Sequence, residues 1–168
     1  MYVSTKRYGH EAGYSIAYRQ HRADSHCRFI HGYSLAFDFE FEAAELDVRN
    51  WVCDFGGFRT LKDFLDEHFD HTLLVAQDDP EIGTIKELDD LYLAQVREVP
   101  KTGCEGLAEF LYWYVNEVWL KDNGYGDRVH CRKVRVSETP NNSAWVEFSQ
   151  RDWKEVSAAW EDRINGGF

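Results

Sequence analysis

Residues 33–41 read Tyr-Ser-Leu-Ala-Phe-Asp-Phe-Glu-Phe. Tyr33, Leu35, Phe37, Phe39 and Phe41 alternate with Ser34, Ala36, Asp38 and Glu40, the period of a strand with one buried face. Residues 12–19, "AGYSIAYR", supply a partner strand ahead of it. The period then lengthens. In 58–69, Phe58, Leu61, Leu65 and Phe69 fall on one face of a helix. The acidic stretch around 80–93 reads as partly helical, and "AQVREVP" as a short strand. Thr102-Gly103-Cys104-Glu105 has the form of a capping box. It opens a helix whose apolar face is Leu107, Leu111, Val115, Val118 and Trp119, and "DNGYG" stops it. Residues 128–137, "RVHCRKVRVS", alternate again. After the turn "TPNN", the run "SAWVEF" is a further strand. The tail 150–168 is ambiguous, with Trp153 and Trp160 suggesting a last packed helix.

The order strand, strand, helix, excursion, helix, strand, strand predicts an α+β layer. Its simplest form is an antiparallel four-stranded sheet with two helices packed on one face. The 168 residues suit one domain, 1–168, with its own core.

Composition narrows the function classes. Hydrophobic residues at 43% and aromatics at 15% describe a globular chain. No apolar run approaches the roughly 18 residues of a membrane helix. The start, "MYVSTKRYGHEAGYS", has no apolar signal core, so a cytoplasmic protein with no membrane partner is expected. A net charge of −11 argues against a broad nucleic-acid surface. A small anionic ligand would need a local basic pocket, for which Arg19, Arg22 and Arg28 are candidates. Four cysteines without a CxxC pair exclude a four-thiolate zinc knuckle, and each is by default a small buried hydrophobe.

Three places carry candidate chemistry. In "HCRFIHGYS", Cys27 precedes His31 by four and lies among His21, Arg22, His26 and Arg28. Neighbouring cations favour the thiolate, which serves as a nucleophile or general base. Asp70-His71 pairs a carboxylate with an imidazole, as in a proton shuttle, or is a surface pair ending a helix. Glu138 ends a basic and apolar strand. A carboxylate buried there needs a partner, such as two adjacent N–H donors on a pterin or guanine edge, unless it is an ordinary solvated strand end. "DFGG" in 54–57 looks like the kinase metal-binding triplet, but no Gly-rich loop or H-R-D accompanies it.

Taken together, "YSIAYRQHRADSHCRFIHGYS", "VCDFGGF", "FDHTLL", "TGCEGLA" and "VSETPNNSAW" resemble, in order, the 6-pyruvoyl-/6-carboxy-tetrahydropterin synthase family. The resemblance runs from about residue 14 to 148. The spacing of Cys27 and His31 is that of the bacterial carboxy type that feeds queuosine and 7-deazapurine synthesis. The resemblance implies the tunnelling fold (T-fold) and a lyase acting on 7,8-dihydroneopterin triphosphate or a related pterin. It implies a homo-oligomer, trimer or hexamer, with sites between subunits. Cys27 would abstract a proton, Asp70 and His71 would relay protons, and Glu138 would anchor the pterin. Gly103, Cys104 and Glu105 would lie beside the ring. The family's zinc is held by three histidines. Here the first and third positions are Tyr18 and Tyr33, leaving His31. Either His21 and His26 complete a set with His31, or Tyr18 and Tyr33 replace the metal in binding the ligand. We favour loss of the zinc, and with it a zinc-free relative acting on or binding another pterin or purine as the alternative.

Overall fold

The computed structural model describes residues 1–165; the last three residues of the tail lie outside them. Seven strands form one mixed sheet: β1 (Tyr2–Tyr8), β2 (Tyr14–Tyr18), β3 (His31–Ala43), β4 (Thr72–Ala76), β5 (Val96–Val99), β6 (Val129–Ser137) and β7 (Ser143–Glu147). The spatial order is β5-β4-β2-β3-β6-β7, with β1 also paired to β3. The thirteen residues of β3 hold the sheet together. Their first part pairs with β2, and their second part pairs with β1 and β6.

Four antiparallel strands were expected; the sheet has seven and includes parallel pairs, β2 with β4 and β4 with β5. The two strands without a prediction hide for opposite reasons. All five residues of β4 are buried, so it shows no alternation. β1 is mostly exposed and polar, and its pairing with β3 is what holds it.

The sheet's principal core forms where the pattern placed it. Phe37, Phe39 and Phe41 are fully buried. They meet helix α1 (Arg59–Phe69) and the stretch that continues helix α3 (Gly103–Trp113) through contacts such as Phe37 with Phe69 and Phe41 with Trp119. Phe58, Leu61, Leu65 and Phe69 are all buried in this core, as their spacing predicts. Past Trp113 the helix widens into a π-helical stretch, Tyr114–Trp119, before a last turn, α4 (Leu120–Asp122). The change of pitch buries Asn116 and leaves Val118 only half-buried.

Helix placement also departs from two helices on one face. Alternate residues of β4 point opposite ways. Leu74 joins the main core, while Leu73 and Val75 pack with Ile85 of α2 (Ile82–Asp90). The tail is helical: α5 (Gln150–Asn165) seats Trp153 and Trp160 against Tyr112 and Phe148. Among the described residues no helix is long and apolar enough to cross a membrane.

Candidate active site

The site forms where β2 ends, β3 begins, β6 ends and α3 starts. Antiparallel register sets Tyr18 opposite His31 and Ile16 opposite Tyr33. The Tyr18 and Tyr33 rings are stacked, with centroids 4.4 Å apart and planes 16° from parallel. The Tyr18 hydroxyl donates to Glu138 Oε1 at 2.6 Å, joining residues 120 positions apart. The Tyr33 hydroxyl lies 2.5 Å from His31 Nε2, and His31 Nδ1 lies 2.7 Å from the Phe29 carbonyl. A carbonyl accepts only, so the neutral imidazole carries its proton on Nδ1, and Tyr33 is the donor to Nε2.

Tyr18 has no exposed surface. Its hydroxyl is pushed far above its usual range, first by burial and then by its hydrogen bond to Glu138 and that carboxylate's charge. Burial first, then Glu138 and the Cys27 sulfur, push Tyr33 up against an opposing contribution from Tyr18. Both phenols therefore keep their protons near neutral pH.

Cys27 sits in a short 3-10 turn, His26–Arg28, capped by the Ser25 side chain accepting from the Cys27 amide at 3.4 Å. The Gln20 amide donates to the Cys27 carbonyl at 2.8 Å, folding this loop back onto the end of β2. The thiol is half-buried, while the other three cysteines are buried. Of those, Cys104 forms the floor beside Glu138. Burial, then Glu138 and Glu105, push its thiol up to about 12, so it stays protonated.

The start of α3 is held differently from a capping box. Thr102 is the N-cap residue, but its hydroxyl donates to the Arg19 carbonyl at 2.9 Å and makes no cap bond. The turn is made by Gly103, at φ +91°. A Cβ there would also stand 2.0 Å from Gln20 Nε2. Gln20 is a pocket residue the sequence reading missed. Glu105 is exposed.

Asp70-His71 is made as a pair, His71 Nδ1 lying 2.7 Å from Asp70 Oδ1. His71 adopts φ +57°, a left-handed conformation costly for a residue with a Cβ. It is 76% exposed at the side chain, and Asp70 is 41% exposed. Within one chain the pair lies away from the tyrosines. Ile16 is level with Thr72, so His71 is level with Ser15, about 10 Å back along β2 from Tyr18 at the rise of a strand.

Two of the three arginines of the expected basic pocket are neutralised, and Arg28 is exposed in the Cys27 turn. Arg19 makes a two-pronged pair with buried Asp79, at 2.8 and 2.5 Å, and Arg22 reaches Asp78 at 2.6 Å. His21 also turns to these aspartates, at 3.7 and 3.9 Å. A cleft of about 380 Å³ between Gln20, His21, Asp78, Lys101 and Thr102 adjoins this network. A second cleft of about 420 Å³, between Tyr2, Trp51, Val52 and Phe55, holds none of the candidate residues.

Three histidines would suit a zinc ion, but this donor set does not. Among the described residues no three His, Cys, Asp or Glu side chains gather as a metal site. His21 is engaged with the aspartates and His26 is exposed in its turn. His21, His26 and His31 do not gather as one set in this structure.

This architecture is the tunnelling fold of pterin-converting enzymes. An uncharacterized protein from Wolinella succinogenes superposes with a TM-score of 0.73 at 21% identity, covering 88% of this chain and 98% of that one. A Plasmodium vivax 6-pyruvoyltetrahydropterin synthase superposes with a TM-score of 0.59 at 13% identity, covering 89% and 99%. In sequence, the model of the family described as 6-pyruvoyl tetrahydropterin synthase matches residues 9–149. The chain belongs to this family. A 6-carboxy-5,6,7,8-tetrahydropterin synthase of Rickettsia felis is 34% identical over 143 residues, 84% of this chain and 96% of the relative. The Rickettsia conorii protein of the same name is 36% identical over 84 residues, and the match spans 58% of that relative.

Proposed function

We propose that this protein binds a pterin against Glu138 and remodels the substituent at its C6 position. The observation that carries the reading is the Tyr18–Glu138 hydrogen bond at 2.6 Å. It holds a carboxylate at the end of β6, beside Cys104 and the start of α3, with one oxygen fixed. The edge of a pterin offers the two adjacent N–H donors that such a carboxylate accepts. Gly103, with no Cβ, lets the Gln20 side-chain amide pack against the start of α3, beside the place a ring would take. Cys27, half-buried near Tyr33, is the group that takes a proton from the carbon beside the ring. The Rickettsia relatives, named 6-carboxy-5,6,7,8-tetrahydropterin synthases, support a tetrahydropterin carrying a C6 carboxylate as the product class, and we read 7,8-dihydroneopterin triphosphate as the substrate and 7-deazapurine synthesis as the setting.

Asp70 and His71 serve as the proton relay of a neighbouring subunit's site. Their separation from Tyr18 within one chain, their exposure and the strained backbone of His71 support this. Assembly into a trimer or hexamer also covers the outer edges of β5 and β7, which have no further strand partner among the described residues. We read the chain as one domain acting in the cytoplasm.

The test is incubation with 7,8-dihydroneopterin triphosphate, wild type beside Cys27→Ala. Turnover by the wild type alone is expected. Equal inertness of the two refutes the lyase reading. A second reading, a relative repurposed for another pterin or purine, is favoured by one observation: both phenol protons are already committed, to Glu138 and to His31. To steady an oxyanion, either phenol would first have to leave its partner.

A further inference from the structure

We infer that the tyrosine pair is a built replacement for the metal: Tyr33 occupies the one nitrogen of His31 that an ion would need, and Tyr18 is committed to Glu138. This deepens the reading above and rests on it.

His31 is posed like a ligand. Its Nδ1 faces the Phe29 carbonyl at 2.7 Å, which leaves the lone pair on Nε2. That lone pair receives the Tyr33 hydroxyl at 2.5 Å. Tyr18 spends its own proton on Glu138. Stacking at 4.4 Å makes each ring part of the other's packing. A catalytic zinc keeps about three protein ligands. This site offers one imidazole, already hydrogen-bonded, and two protonated phenols.

The replacement changes what the pocket recognises. A cation would gather two oxygens of a ligand at once. Tyr33, half-buried and with its proton on His31, presents a neutral oxygen acceptor, whereas Tyr18 has no exposed surface. The group Tyr33 takes is a single O–H or N–H of the ligand, in place of the pair of oxygens a cation would hold.

The test uses the full-length protein from zinc-supplemented cultures, desalted and read by elemental analysis and native mass spectrometry. The wild type should carry little zinc, and Tyr18→His/Tyr33→His should carry about one zinc per chain. Stoichiometric zinc in the wild type overturns the inference. So does a folded double variant that remains zinc-free. Should that variant fail to fold, nitrogen-15 NMR decides. Adding zinc alone should leave the wild-type His31 Nε2 resonance in place, while Tyr33→Phe should shift it. A resonance that zinc moves at one equivalent, or that Tyr33→Phe leaves unmoved, overturns the inference. Pterin binding by the metal-free wild type is read separately. Its absence refutes the proposed function and leaves the metal result standing.

Discussion

Asn116→Ala is the sharpest test of how this chain holds its shape. Asn116 is buried in the π-helical stretch, and its side chain clamps the backbone of one residue of β6. Its Oδ1 accepts from the Cys131 amide at 2.9 Å, and its Nδ2 donates to the Cys131 carbonyl at 3.0 Å. The β3–β6 ladder slips register between Glu40 and Phe41, the latter opposite Cys131, so Asn116 supplies partners beside this irregularity. Cys131 has no exposed surface, so no water can take over. Alanine leaves a buried N–H and a buried C=O unpaired. At about 1–3 kcal/mol for each such group, the expected loss is about 2–6 kcal/mol. For a chain of this size, at about 2–4 °C per kcal/mol, that lowers the melting temperature by roughly 4–24 °C. Urea unfolding followed by circular dichroism, with thermal melts beside it, measures both. A loss below about 1 kcal/mol with an unchanged m-value would refute the claim that Asn116 is the partner of these groups.

Four further outcomes are expected. His71→Gly relieves a left-handed backbone and should leave stability unchanged or raise it by up to about 1 kcal/mol, while lowering turnover; a clear fall in stability would show that the pair is structural. Glu138→Gln should weaken pterin binding by at least about tenfold, because the anchoring charge is lost, and calorimetric titration reads it directly. Gly103→Ala should destabilise by about 1–2 kcal/mol through its φ of +91°, and equilibrium unfolding that shows no change would remove the need for glycine there. His130 is buried against the Phe148 carbonyl and the Tyr112 hydroxyl, and burial depresses its pKa below the usual imidazole value. The unfolded chain then binds the extra proton, so stability should fall as pH drops below about 6.5. His130→Gln should flatten the stability profile between about pH 6.5 and 5, above the range where carboxylates titrate.

The parts of the fold with a clean period were legible in the sequence. Phe37, Phe39 and Phe41 alternate because one face of β3 is core, and Phe58, Leu61, Leu65 and Phe69 repeat because one face of α1 is. β4 escaped because burial on both faces erases alternation, and Thr102 misled because its hydroxyl found the Arg19 carbonyl just past β2 instead of its own helix. In the site, Tyr18 and Tyr33 stood out by position. What each touches did not, since the partner of Tyr18 lies 120 residues away. Arg19 and Arg22 looked like an anion pocket because Asp78 and Asp79, their partners, sit in a segment without strong periodicity.

The strand β3 carries a further consequence. His31 and Tyr33 share odd-numbered positions with Leu35, Phe37, Phe39 and Phe41, so one alternation serves both pocket and core. A single residue inserted or deleted between Tyr33 and Phe37 would put one of the two sets on the wrong face. Change along this strand is therefore confined to substitution: pocket residues can be exchanged one for another, as histidine for tyrosine, but the spacing between pocket and core cannot drift. A lineage could exchange the chemistry of the pocket here without touching the frame that positions it.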